Sequence, residues 1–262
     1  MAFLSLSYKK MNNKDYRNLL LRQVNNSSKP AIYYYLRWMY AKIEKNLIGK
    51  RILEIGSGPG LSTKFINDKN ITLTDLLFWP NSNVEGNINA TNLPFVANSF
   101  DSAFAVDAIH HISYPDKAIV ELCRVVRPGG KIIIIEPYVS LFSFLIYKFF
   151  HNESTTWNYK IPINGKTVSE TASDGEQSTL QALLSNQLLA FEISHKIHKD
   201  VSLSITYFSP ISFFATGGLS DPLSTPKKLI AFLIKIEQLL PQNILKLIAA
   251  RQILFIEVNG HN

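Results

Sequence analysis

The period of apolar positions changes repeatedly along this chain, and each change predicts an element. Residues 51–55, RILEI, form a short branched run that ends in glycines and predicts a strand. Residues 70–74, 100–108 and 131–135 read as further strands; the last two are almost unbroken apolar runs, as expected of strands covered on both faces of a parallel sheet. Between them the period lengthens. Ile32, Tyr35, Leu36, Met39, Ile43 and Leu47 recur at helical spacing, with Pro30 suited to the first turn and Gly49 to the stop. Residues 61–66 begin a second helix. Residues 115–126 form a third, closed by the Arg127-Pro128-Gly129-Gly130 turn.

Further on, 84–87 predicts a weak third strand, 139–150 and 180–189 helices, 191–197 a sixth strand and 253–258 a last one. Residues 226–240 and 242–251 predict helices that are apolar nearly all round with a basic margin, a pattern usual in buried helices and also suited to lying on a membrane. The apolar stretch 132–150 is long enough to span a bilayer, but Glu136 and Pro137 break it. Residues 152–178 are polar and turn-rich, a loop over whatever site the sheet carries. Strands alternating with helices predict an α/β architecture, a doubly wound sheet with helices on both faces and a helical cap.

Composition narrows this picture only modestly. The 262 residues, 46% of them hydrophobic, suit one α/β domain with elaborations, and no repeat or low-complexity tract appears. The net charge of +7 is unevenly placed. Residues 1–51 hold eleven Lys or Arg against Asp15 and Glu44, whereas the remainder has sixteen basic and eighteen acidic residues. That basic and aromatic arm suits an anionic partner, although a solvated helix face explains it as well. The single Cys123 lies in an apolar helical pattern, so it is read as a buried thiol, compatible with a cytoplasmic setting. The opening MAFLSLS has too short an apolar region to predict a secretory signal.

The candidate chemistry begins where the first strand ends. Gly56, Gly58 and Gly60 alternate in GSGPG, allowing a sharp turn and close backbone approach of a ligand beneath a helix N-terminus. The third glycine of a dinucleotide fingerprint is replaced by Leu61, which weakens a pyrophosphate reading. Glu54 ends the strand, and Asp75 ends the next one, where a carboxylate can accept both hydroxyls of a ribose. A ribose joined to an amino acid suggests S-adenosylmethionine.

With LEIGSGPG, Asp75 in LTDLL, NATNLPFVANSFDSAFAVDAIHHI and ELCRVVRPGGKIIIIEP in that order, the chain resembles the class I S-adenosylmethionine-dependent methyltransferases, in particular the ubiquinone and menaquinone type. The resemblance covers about residues 50–137. It implies a Rossmann-like, seven-stranded, mostly parallel sheet with an antiparallel last strand. The domain would occupy 51–262, preceded by a helical arm over 1–50, with cap insertions at about 138–180 and 202–250. Glu54, Gly56, Ser57, Gly58, Gly60, Asp75, Leu76, Asn89, Ala90 and Asp107 would hold the cofactor, Asn89 standing where the family commonly has an aspartate that reads adenine. His110, His111, Glu136 and Tyr138 at the strand ends are the candidate catalytic groups, able to orient an acceptor and take its proton. No set of residues at ligand spacing points to a metal.

The apolar cap suggests a small-molecule or lipid-linked acceptor, such as a lipid, a quinone-like ring or a lipid-linked sugar. The stretch after the fifth strand has a diffuse likeness to bacterial methyltransferases of cell-surface glycan pathways. Peripheral membrane contact remains open; RNA or protein methylation through the basic arm, or a non-catalytic cofactor-binding role, are the alternatives, and nucleic acid is the weaker partner.

Overall fold

The computed structural model describes residues 29–67, 70–80, 82–150, 155–157, 159, 176–185, 195–218 and 223–259. Most of the basic arm, most of the loop expected over 152–178 and the stretch 186–194 lie outside the described residues. Among the described residues there are six strands, β1 (Arg51–Ile55), β2 (Asn70–Thr74), β3 (Phe100–Val106), β4 (Val126–Pro137), β5 (Val201–Phe208) and β6 (Arg251–Val258). The helices used below are α1 (Pro30–Asn46), α2 (Pro115–Val125), α3 (Leu141–Phe150), α4 (Thr179–Ser185), α5 (Lys227–Gln238) and α6 (Gln242–Ile248).

The strands form one sheet in the order β2-β1-β3-β4-β6-β5. β1 to β4 run parallel; β6 is antiparallel to β4, and β5 is antiparallel to β6. The carboxyl ends of β1 to β4 and β5 and the amino end of β6 therefore share one edge, with Pro137, Arg251 and Phe208 in register across it. Period-two burial splits the core. Ile52, Phe104, Ile133, Ile135 and Ile253 pack under α1 and the inner side of α5, while Leu53, Ala103, Ile132, Ile134 and Leu254 pack under α2 and α4.

Three expectations are corrected. The weak third strand expected at 84–87 is reduced to a single parallel bridge between Thr74 and Glu85 on the outer side of β2. Asn87 takes a left-handed φ of 60°, which ends any extended run there. Of the strand expected at 191–197, residues 191–194 lie outside the described residues and His195–Ile197 is helical, while Val201–Phe208 forms a strand. VSLSITYF alternates apolar and polar residues as a half-buried edge strand should, and it takes the first part of the expected late insertion, leaving 209–250 between β5 and β6. The helix expected from residue 61 is a 3-10 turn, Leu61–Lys64.

Lys199, just before β5, is buried and donates to the carbonyls of Cys123, Arg124 and Val126 at 2.9, 3.1 and 2.7 Å. These carbonyls lie at the end of α2, where helix geometry leaves acceptors unmatched and favours a cation. One lysine thus ties the last hairpin to the parallel half of the sheet.

Candidate cofactor and active site

The glycine loop leaves β1 through three left-handed residues, Gly56, Gly58 and Gly60, at φ of 62°, 53° and 78°. They differ in what surrounds them. A Cβ on Gly56 would lie 2.4 Å from the Ala108 side chain, so this glycine lets β1 approach the turn after β3. A Cβ on Gly58 would meet nothing within 4 Å, leaving backbone exposed to open space where a ligand can approach. Ser57 is buried and braces the loop: its N–H donates to the Thr74 carbonyl at 3.0 Å and its hydroxyl to the Glu54 carbonyl at 3.2 Å.

The acids expected to serve the cofactor sit around this loop. Glu54 is buried on the α1 side of β1, where Ser62 donates to it, and burial pushes its carboxyl up to about 8. Asp75 accepts the Gly58 N–H at 2.8 Å on one oxygen and the Leu77 N–H at 2.8 Å on the other. Partial burial raises its pKa, against the lowering effect of those N–H groups. Leu76 beside it is 63% exposed, an apolar surface at the lip of the site.

Asn89 is engaged locally. Its side-chain carbonyl accepts both the N–H and the hydroxyl of Thr91 at 2.9 Å, a local turn that occupies both lone pairs expected to read adenine. Ala90 is half-buried against the core below it.

At the ends of β3 and β4 the structure brings together most of the candidate catalytic groups. Glu136 is fully buried; Oε1 accepts the Ala108 and Ile109 N–H groups at 3.0 and 2.7 Å, and Oε2 lies 2.5 Å from His110 Nδ1. It therefore anchors the turn that carries both histidines and orients one of them. The His111 ring lies tilted against that of His110, ring centres 4.1 Å apart, and is only half-buried. Tyr138 stands apart from this group. Its hydroxyl donates to the Lys246 carbonyl at 3.1 Å, its ring packs 4.5 Å from Tyr207, and burial pushes it up to about 12. That engagement suits a wall residue rather than a base.

Arg251 and Glu176 were not singled out by the sequence reading, because their partners are remote in the chain. The Arg251 guanidinium is buried at the start of β6, 2.7 Å from an Asp107 oxygen and 5.0 Å from the centre of the Phe213 ring. Asp107, at φ 52°, thus ties the turn after β3 to the start of β6. Beyond Phe213 an aromatic wall continues through Phe214 and Tyr147, with Phe144 and Trp157 alongside on α3 and the segment after it. Glu176 is buried, accepts from Thr156 and Ser178, and donates its own N–H to the His110 carbonyl at 3.4 Å.

Asp107, His110 and Glu136 bring one potential ligand atom each to within 4.8 Å of one another. Asp107 pairs with Arg251, and Glu136 with His110 and two backbone N–H groups, so the three are held in a hydrogen-bond network.

A sheet edge with a glycine loop, two flanking carboxylates and an open backbone position is the ligand seat of a doubly wound α/β protein. Comparison with known proteins specifies it. Residues 53–134 match the family described as "Methyltransferase domain". Over 98 residues the chain is 31% identical to the demethylmenaquinone methyltransferase of Renibacterium salmoninarum, covering 34% of this chain and 41% of that protein. It is 31% identical over 108 residues to an O-methyltransferase of Aspergillus nomiae, covering 35% and 48%. A crystal structure of an S-adenosylmethionine-dependent methyltransferase from Archaeoglobus fulgidus covers 86% of this chain and 93% of its own at 12% identity, with a TM-score of 0.49. The matched region thus spans less than half the length of the two curated relatives. Residues 53–134 thus carry a methyltransferase domain similar to that of S-adenosylmethionine-dependent methyltransferases, whose cofactor is S-adenosylmethionine.

Proposed function

We propose that this protein transfers a methyl group from S-adenosylmethionine to an oxygen or nitrogen atom of a small acceptor that is apolar, or linked to a lipid or glycan. The observation that carries the reading is the open backbone at Gly58, bracketed by Asp75 and the Glu54–Ser62 pair. The bound cofactor supplies an activated methyl group and its own leaving group, so the protein's task is alignment.

Gly56, Ser57, Gly58 and Gly60, with Glu54 and Asp107, would hold the amino-acid portion. Asp75 and Leu76 would hold the ribose, and Ala90 would flank the adenine. With His110 Nδ1 donating to Glu136, its Nε2 carries the lone pair. His111, beside it and less buried, is the candidate to orient an acceptor and accept its proton. Phe213, Phe214 and Tyr147 favour a flat or aliphatic acceptor over a charged one. The demethylmenaquinone of the Renibacterium relative's name is a molecule of this kind.

The test is incubation with methyl-labelled S-adenosylmethionine and a lysate of the source, followed by partition of the label. Label in the organic phase, lost in a Gly58→Val variant, is the expected result. Label confined to RNA or protein would reject the apolar acceptor and shift attention to the basic arm.

A further inference from the structure

The helices between β5 and β6, whose all-round apolar character with a basic margin suits either burial or a membrane surface, are only half buried. In α5, Ile230, Ile234 and Glu237 face inward; Glu237 accepts the N–H groups of Ile211 and Ser212, both at 2.7 Å, and the Ser212 hydroxyl, and so anchors the helix to the turn before Phe213. The opposite side carries Leu229, Phe232, Ile236 and Leu239, which are 45%, 58%, 47% and 79% exposed. Their i, i+3, i+7, i+10 spacing makes one continuous apolar stripe along the helix. Lys228 and Lys235, seven residues apart, line its flank. After a short turn α6 continues the pattern, with Ile244 and Leu247 exposed beside Lys246.

The charge on this hairpin is one-sided. Residues 227–248 contain four lysines and one acid, and that acid is the buried Glu237. We propose that the outer face of α5 and α6 is a docking surface for an anionic lipid bilayer, with Leu229, Phe232, Ile236 and Leu239 entering the acyl boundary while Lys228 and Lys235 meet the headgroups. An apolar stripe gains free energy only by leaving water for an apolar phase, which nucleic acid does not offer. A second copy of the chain would bring the same lysines against each other across an isologous contact. An anionic bilayer satisfies both halves of the surface.

The inference goes beyond the methyl-transfer reading and is tested separately from it, by co-sedimentation of the full chain with sucrose-loaded vesicles. Binding to phosphatidylglycerol-containing vesicles is expected, with little to phosphatidylcholine alone and a loss at high salt. Phe232→Ser with Ile236→Ser should weaken it at least about tenfold, and Lys228→Glu with Lys235→Glu by about the same factor. Because these side chains are exposed, the melting temperature and cofactor affinity should stay as in the wild type, which separates a failure here from failure of the cofactor seat. Absence of binding to anionic vesicles, or equal binding by the variants, overturns the proposal. So does a dimer in sedimentation velocity that Phe232→Ser with Ile236→Ser dissolves, since that would make the face a contact between copies.

Discussion

Replacing Glu54 by glutamine isolates what it costs to keep an ionisable carboxyl inside this core. Glu54 is 2% exposed, and burial moves its pKa from 4.5 to about 8. Such a group binds its proton more tightly in the folded than in the unfolded chain. Its contribution is therefore fully present below pH 4.5, is lost progressively as pH rises, and levels off above about 8. At about 1.36 kcal/mol per pH unit, the interval from 4.5 to about 8 amounts to about 5 kcal/mol. That is comparable with the whole stability of many domains, so the effect is measurable. Glutamine has nearly the same volume, keeps a carbonyl to accept the Ser62 hydroxyl, and carries no charge at any pH.

The assay is equilibrium urea unfolding of the ligand-free protein at about pH 5 and about pH 8.5, comparing Glu54→Gln with the wild type. Every other titrating group is common to both, so the difference between them reports Glu54. The two should be close in stability at the lower pH, and the variant should gain several kcal/mol at the higher one. A difference that does not change between the two pH values would refute the reasoning, because it would mean that the carboxyl is not desolvated by the fold.

The remaining predictions concern loop, anchor and cap. Gly58→Ala places a Cβ in open space at a φ of 53°, so it should cost only about 1 kcal/mol of stability yet weaken S-adenosylmethionine binding at least about tenfold by calorimetry; Gly56→Ala, which meets Ala108 at 2.4 Å, should chiefly lower the melting temperature. Glu136→Ala leaves two backbone N–H groups and His110 without their acceptor, for a loss of about 3–5 kcal/mol in urea unfolding, whereas Glu136→Gln should recover much of it. Lys199→Met uncovers three buried carbonyls at the end of α2 and should cost about 2–4 kcal/mol; amide exchange over 122–126 reports whether the helix end is what loosens.

Much of this protein is written in local patterns. Branched runs such as RILEI and IIII, the helical recurrence in α1 and the glycines after β1 fix a parallel α/β sheet and its ligand-facing loop, because period and glycine conformation depend on a few neighbouring residues. The Thr91 turn that occupies Asn89 is also a short-range event and lay within reach of the sequence. The edge strand β5 is legible in the alternation of VSLSITYF, but the neighbouring stretch FEISHKI at 191–197 competes for the same assignment.

What tertiary structure alone decided was the pairing of polar groups across long separations. Glu136 could have been a free base; the approach of the turn after β3, 27 residues back in the chain, made it an anchor instead. Tyr138 could have faced an acceptor, but the carbonyl of Lys246, 108 residues on, took its hydroxyl. Arg251 found Asp107 only because an antiparallel last strand brings its amino end to the edge where the parallel strands finish. Burial follows from periodicity that is local to the chain, whereas a buried polar atom must find whichever partner the folded topology places within about 3 Å of it.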